Sequence, residues 1–114
     1  MHRRARRPAP APAPFALDVR HAEDRATVLV SGEIDMVSAD RLAATLQGLL
    51  ERGCATVEVD MSGVGFLAAA GLAVLVEHDR RFRDASARLL VVRPSQRCAR
   101  LFALTGIGGV LTVR

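Results

Sequence analysis

The feature that most constrains the fold is the alternation of short apolar runs with longer segments of helical periodicity along the 114 residues of the chain. Two β-rich runs come first, and the polar letters HAEDR between them predict an antiparallel hairpin. Helical and strand patterns then alternate, which is typical of crossover connections between parallel strands. The strands are expected at 15–20, 26–32, 56–60, 88–92 and 110–113.

Three helices are predicted between these strands. The first has Ser38 as its N-cap and ends at Gly53. The second follows a predicted loop with the letters MSGVGFL and ends near Asp84. The third opens at Ser95 and stops at Gly106. Right-handed crossovers would place all three on one face of a mixed sheet, so the predicted fold class is α/β.

The composition indicates one globular domain and an unusual N-terminal segment. Residues 1–14 alternate Pro and Ala and carry four Arg without an acid, whereas residues 15–114 hold twelve Arg and twelve Asp or Glu. We therefore expect a disordered basic tail at 1–14 and one neutral domain at 15–114. The tail is read as a spacer or, alternatively, as a weak contact to an anionic surface.

The residues present do not predict a nucleic-acid stacking surface, a membrane-spanning helix or a metal site. Four Phe are the only aromatic side chains, too few for a nucleic-acid stacking surface. The longest uncharged run, 61–76, has sixteen residues, fewer than the roughly 18–20 that cross a bilayer. Cys54 and Cys98 have no metal-ligand spacing and are expected to be reduced. We expect a cytoplasmic protein without metal, cofactor or direct nucleic-acid contact.

Enzyme classes of similar size are also not expected. A receiver domain needs a lysine beside its acidic pocket, and a phosphate-binding loop needs Gly-Lys-Ser/Thr, but the chain contains no lysine. No catalytic triad or carboxylate pair is recognisable. The sequence therefore predicts no catalytic residues.

Four segments carry a family resemblance when they are taken together and in order. They read VSGEID at 30–35, VEVDMSGVGFL at 57–67, AGLAVL at 70–75 and LFALTGIGGVLTV at 101–113. The chain resembles the STAS domain of bacterial anti-sigma factor antagonists over residues 15–113. The resemblance implies a STAS-like fold and a cytoplasmic regulator of transcription that works by binding.

The resemblance also implies a partner switch. In that family an unphosphorylated antagonist binds an anti-sigma factor, often a serine kinase, and phosphorylation of a serine directly before a glycine breaks the contact. Here Ala68, Ala69 and Ala70 precede Gly71. Ala70 stands at the phosphoacceptor position, and its methyl group cannot be phosphorylated.

By this resemblance Asp35 belongs to a loop that contacts the partner. The apolar residues Phe66, Ala68, Ala69 and Ala70, together with Gly71, are a candidate docking patch for the same partner. Two simpler interpretations stay open: Asp35 is an ordinary turn residue, and the alanines only fill a helix start. Ser62 is a candidate substitute phosphoacceptor, although its letters also read as a turn. An alternative function is a STAS-type scaffold or ligand-sensing module outside sigma regulation.

Overall fold

A computed structural model describes residues 14–114, so the predicted tail, apart from Pro14, lies outside the described residues. The elements are β1 (Ala16–Ala22), β2 (Arg25–Ile34), α1 (Met36–Glu51), β3 (Thr56–Leu67), α2 (Ala69–Asp84), β4 (Arg88–Val92), α3 (Gln96–Thr105) and β5 (Thr112–Val113), with a 3-10 turn at Ile107–Gly109. No helix within residues 14–114 is long and apolar enough to cross a membrane.

The five strands form one mixed sheet in the order β1-β2-β3-β4-β5. β1 and β2 pair antiparallel, and the other neighbours pair parallel. Because each right-handed crossover moves one strand in the same direction, all three helices lie on the same face. α1 contacts β2, α2 contacts β3 and β4, and α3 contacts β3. The predicted mixed sheet with helices on one face is confirmed.

One hydrophobic core joins this face of the sheet to all three helices. The strands and helices contribute side chains that are at most 3% exposed, among them Val28, Val57, Val59, Leu42, Leu46, Leu75, Phe82, Cys98 and Phe102. Both cysteines are free and buried. Burial raises the pKa of the Cys98 thiol, which keeps it neutral and part of the core.

The segment MSGVGFL, predicted as a loop, is instead the second half of β3. It continues the parallel pairing with β2, with Ser31 opposite Gly63 and Glu33 opposite Phe66, across two irregularities in register. The glycines and polar residues of this segment, which resemble a turn in the sequence, are accommodated in the strand by these irregularities in register. A Cβ on Gly63 would lie 2.8 Å from Cβ of Ser31, so glycine allows the two strands to approach.

The last strand is shorter than predicted. β5 begins at Thr112 rather than at Val110, because Ile107–Gly109 and Val110 complete a turn after α3. Gly106 ends α3 with φ +71°, the left-handed conformation that favours glycine at this position. The predicted stop of α3 at Gly106 is confirmed.

Candidate functional site

The N-termini of α1 and α2 lie side by side at one edge of the sheet. β2 and β3 remain paired to their last residues, where Ile34 is opposite Leu67. The Ala68 N–H donates to the Ile34 carbonyl at 2.9 Å. Each helix begins two residues after its strand ends. Sequence segments around 35 and 68 are thereby brought together at the carboxyl edge of the parallel strands, where open α/β sheets commonly bind ligands.

The first helix is capped by Asp35 and not, as predicted, by Ser38. Asp35 is extended, its carboxylate accepts the Ser38 N–H at 2.9 Å, and the Ser38 hydroxyl accepts the Asp35 N–H at 2.8 Å. This reciprocal capping box satisfies two N–H groups at the helix start. Ser38 was a plausible cap by residue type, but it is buried in the first turn. Asp35 therefore has a structural role, and its carboxylate is also exposed.

These hydrogen bonds also fix the charge at this position. The backbone N–H of Ser38, followed by its hydroxyl, lowers the pKa of Asp35 below its usual value. Hydrogen bonds to a carboxylate favour its charged form. Asp35 is thus a fixed negative charge beside the start of α2.

The start of α2 has no side-chain cap. Ala68 has the extended backbone of an N-cap, at φ −73° and ψ 162°, but its methyl group accepts no hydrogen bond, and the first turn contains no acid. Ala69 is exposed, whereas Ala68 and Ala70 are half-buried. The backbone before Gly71 is therefore presented at the surface. At position 70 the surface offers a methyl group where the family resemblance implies a serine.

Gly71 itself lies behind this surface. It is buried, and a Cβ built on it would stand 2.6 Å from Leu67 Cδ1 and 2.7 Å from Ile34 Cγ2. Real Cβ atoms essentially never approach so closely, so glycine lets α2 pack against the ends of both strands. Ile34 and Leu67 occupy the side on which a Cβ would lie, so Gly71 supports the packing of α2, and its expected contact with a partner stays a prediction.

Three large apolar side chains are exposed around the two helix starts. Met36 is 71% exposed, Val37 is 75% exposed and Phe66 is 47% exposed. Sequence reasoning identified Phe66 but missed Met36 and Val37, since it placed the helix start after them. The pattern Asp-x-x-Ser at 35–38 was the available signal, because a cap at Asp35 puts the next two residues in the outer first turn.

We call this region the helix-start surface, and its members are Asp35, Met36, Val37, Phe66, Ala68, Ala69 and Ala70. Apart from one carboxylate it presents mostly methyl, thioether and aromatic groups. Exposed apolar patches of this kind commonly mark protein interaction sites. Within residues 14–114 no three His, Cys, Asp or Glu side chains are placed to hold a metal ion. The arrangement supports protein binding.

Ser62 and Asp60 form a separate arrangement farther back in β3. The Ser62 N–H and hydroxyl donate to Asp60 Oδ1 at 3.0 and 2.7 Å, and Arg93 Nε donates to Oδ2 at 2.9 Å. Burial raises the pKa of Asp60, but the Ser62 and Arg93 hydrogen bonds outweigh it, so the pKa lies below its usual value. The carboxylate of Asp60 thereby joins β3 to the turn after β4 and has a structural role.

Comparisons with known proteins agree with this architecture. Residues 17–113 match the family described as Mlab, STAS domain. An anti-sigma-B factor antagonist of Bacillus subtilis (strain 168) is 30% identical over 97 residues, 85% of this chain and 88% of that protein.

Two solved structures are similar along most of their length. An anti-sigma factor antagonist from Mycobacterium paratuberculosis has a TM-score of 0.78 at 26% identity, covering 88% of this chain and 85% of that one. The anti-sigma factor antagonist SpoIIAA in its unphosphorylated form has a TM-score of 0.73 at 17% identity, covering 89% and 88%. At that identity the second likeness concerns the fold alone, and it agrees with the predicted α/β architecture.

Proposed function

Because the chain belongs to the STAS domain family, we propose that it is an anti-sigma factor antagonist, which binds an anti-sigma factor and thereby regulates sigma-dependent transcription. It acts in the cytoplasm, by binding rather than by catalysis, and its partner is an anti-sigma factor of the serine-kinase type. The contact is made by the helix-start surface. Phosphorylation at position 70 does not control it.

The exposure of the helix-start surface carries this proposal. Met36, Val37 and Phe66 are large apolar side chains that remain 47% to 75% exposed beside the exposed Ala69. Covering such side chains contributes on the order of 1 kcal/mol each through removal of apolar area from water. Because the side chains of the surrounding alanines are single methyl groups, a partner can approach the backbone of both helix starts.

The side chain at position 70 supports the second part of the proposal. A phosphoryl group would add about −1.5 to −2 charges to the apolar contact and oppose docking. Moving a two-state equilibrium from 1:99 to 99:1 takes about 5.5 kcal/mol of differential binding. The methyl group of Ala70 accepts no phosphate, so this position supplies none of that differential binding energy. Binding is therefore constitutive, or its control lies at another residue.

The test is a titration of the anti-sigma kinase of the host with the wild-type chain and with Ala70→Ser, before and after incubation with Mg-ATP. We expect wild-type affinity to be unchanged by ATP and mass spectrometry to find no phosphate at residue 70. Ala70→Ser should be labelled at that position and then lose affinity. Labelling of the wild type at Ser62, with loss of binding, would show that the switch has moved and not vanished.

A pair of matched variants tests the surface in the same assay. Ala69→Glu adds a charge at the exposed start of α2. The helix dipole stabilises a glutamate at this position, so the fold is retained. Ala44→Glu makes the same change at an exposed position in the middle of α1. Only Ala69→Glu should weaken binding. If no anti-sigma factor binds and the chain is instead recovered in a multiprotein assembly, the scaffold function is favoured.

A further inference from the structure

A second surface adjoins the helix-start surface and has no role in the proposal so far. It is a groove of about 360 Å³ between the end of β3 and α3. We call it the α3 groove, and it is lined by Phe66, Leu67, Arg97, Arg100, Leu101 and Leu104. Phe66 belongs to both surfaces, so a partner docked on the helix starts would meet this groove next.

One face of α3 forms the outer wall of the groove. Positions 97, 100, 101 and 104 follow the i, i+3, i+4, i+7 spacing of a single helical face. The adjoining face of α3 is anchored by buried Cys98 and Phe102, and the Ser95 N–H donates to the Met61 carbonyl at 3.0 Å. The wall is therefore held firmly against β3, with its arginines near the start of the helix and its leucines near the end.

Leu104, Arg97 and Arg100 of this wall are exposed in the described part of the chain. Leu104 is 78% exposed. The ion pairs found within residues 14–114 use Arg20, Arg25, Arg81, Arg83 and Arg93. Arg97 and Arg100 take part in none of them and make no side-chain hydrogen bond there. The groove thus combines uncovered apolar area with two guanidinium groups whose charges are not neutralised nearby.

The distribution of charge along the chain identifies the chemistry of the occupant. Residues 85–114 contain five Arg and no Asp or Glu, whereas residues 14–84 contain seven Arg and twelve acids. Residues 1–13 carry four Arg and no acid, so the chain's own N-terminal segment has the wrong sign to neutralise the groove. A complementary occupant must bring carboxylates together with apolar side chains.

We propose that the α3 groove binds an acidic, amphipathic segment of the anti-sigma factor. Apolar side chains of that segment pack on Phe66, Leu101 and Leu104. Its carboxylates pair with Arg97 and Arg100. This assignment rests on the proposed function, and it adds to it the chemical character of the partner and a second area of contact.

The exposure of the two arginines determines what they contribute. Both are at the rim, where charge complementarity raises the association rate and selects the partner more than it adds affinity. Their effect is therefore screened by salt. The contribution of Leu104 comes from apolar burial, which salt does not screen. The contributions of the two arginines and of Leu104 to binding can therefore be distinguished by measuring affinity at two ionic strengths.

The experiment measures binding of the host anti-sigma factor to the double variant Arg97→Glu/Arg100→Glu. Its control is Arg88→Glu/Arg114→Glu, which makes the same change in net charge at two exposed arginines outside the groove. In about 50 mM salt we expect the groove variant to bind about 30-fold more weakly and the control to bind nearly as the wild type does. In about 500 mM salt the difference should shrink several-fold.

A third variant tests the apolar half. Leu104→Ser changes a side chain that is already exposed, so the fold is retained, and we expect about five-fold weaker binding that is the same at both salt concentrations. Circular dichroism checks the folding of all three variants. Equal binding by the two double variants, together with no effect of Leu104→Ser, would overturn the assignment of the α3 groove but leave the proposed function standing.

Two further outcomes identify other failures. If the wild-type chain binds no anti-sigma factor of its host, the proposed function falls and the assignment falls with it. Sedimentation compares the oligomeric states of the wild-type chain and the groove variant. If the wild type is a dimer and the groove variant is a monomer with unchanged affinity for the anti-sigma factor, the groove is occupied by a second copy, and an anti-sigma segment is the wrong occupant.

Discussion

Ala70 and Gly71 are neighbours in the first turn of α2 but have different roles there. Ala70 contributes a half-buried methyl group at the edge of the helix-start surface. Gly71 contributes the absence of a side chain, since Ile34 and Leu67 occupy the space where its Cβ would lie. The first residue determines which chemistry the surface can undergo, and the second determines how closely α2 approaches the sheet.

A Gly71→Ala variant should show the cost of filling this space. The new methyl group would overlap Ile34 Cγ2, which is close to the backbone of β2 and cannot swing away, so we expect a loss of about 1–3 kcal/mol of unfolding free energy. The matched control is Gly48→Ala in α1, where a Cβ would meet nothing within 4 Å. That change should instead stabilise by about 0.5–1 kcal/mol.

Urea titration followed by circular dichroism measures both variants. A Gly71→Ala protein as stable as the Gly48→Ala protein would mean that the strand ends move aside, and the packing role assigned to Gly71 would then be wrong.

At the scale of elements, the three helices begin in three different ways. Asp35 and Ser38 cap α1 reciprocally. The Ser95 side chain accepts the Cys98 N–H at 3.2 Å at the start of α3. The start of α2 at Ala68 has no side-chain acceptor. The start of α2, which supplies the alanines of the proposed contact, is thus the helix start with the weakest local stabilisation. This agrees with a part of the surface that is kept apolar for binding.

Ala68→Ser should restore the missing cap. Because Ala68 already has N-cap backbone angles, a serine hydroxyl can accept an N–H of the first turn, and we expect a gain of about 1 kcal/mol in unfolding free energy. Ser95→Ala is the inverse change at α3 and should lose about the same amount. If Ala68→Ser leaves the urea midpoint unchanged, the N–H groups at the start of α2 already have other partners.

On the scale of the whole molecule, one core joins the sheet and all three helices, so local ion pairs report on global unfolding. Asp60 is the clearest case, because it lies in β3, is 6% exposed and binds Arg93 beyond β4. Its folded pKa is lowered. A lowered carboxylate pKa adds stability that is complete above the unfolded value of about 3.9 and is lost as the pH falls through the folded value.

Asp60→Asn should therefore reduce the unfolding free energy at neutral pH and flatten its decline in acid. As the pH falls below the unfolded value of about 3.9 and through the lower folded value, the difference between variant and wild type should narrow, because the wild-type carboxylate becomes protonated as well. Asp84→Asn, at an exposed position, is the control. Urea titrations between about pH 2 and pH 7 measure the effect. A difference that stays constant across this range would mean that Asp60 acts through shape and not through charge.

The sequence by itself determined the order of elements, the mixed sheet and the family. Periodicity is a local property: the alternation in β2 and the spacing of Leu42 and Leu46 each reflect the burial of one face. The Gly106 stop and the Ser95 cap were also readable, since a cap needs only its own backbone and the next turn. The missing hydroxyl at Ala70 was visible for the same reason.

Only the tertiary structure decided which residues share a surface. The segment MSGVGFL reads as a loop, but its pairing with β2 makes it a strand. The packing of Gly71 against Ile34 and Leu67 could not be read from the sequence. Phe66 and Leu104 line one groove although they are far apart in sequence. Such contacts depend on strand register and helix packing, which arise from the burial of the whole core and leave no local signal in the residues that they bring together.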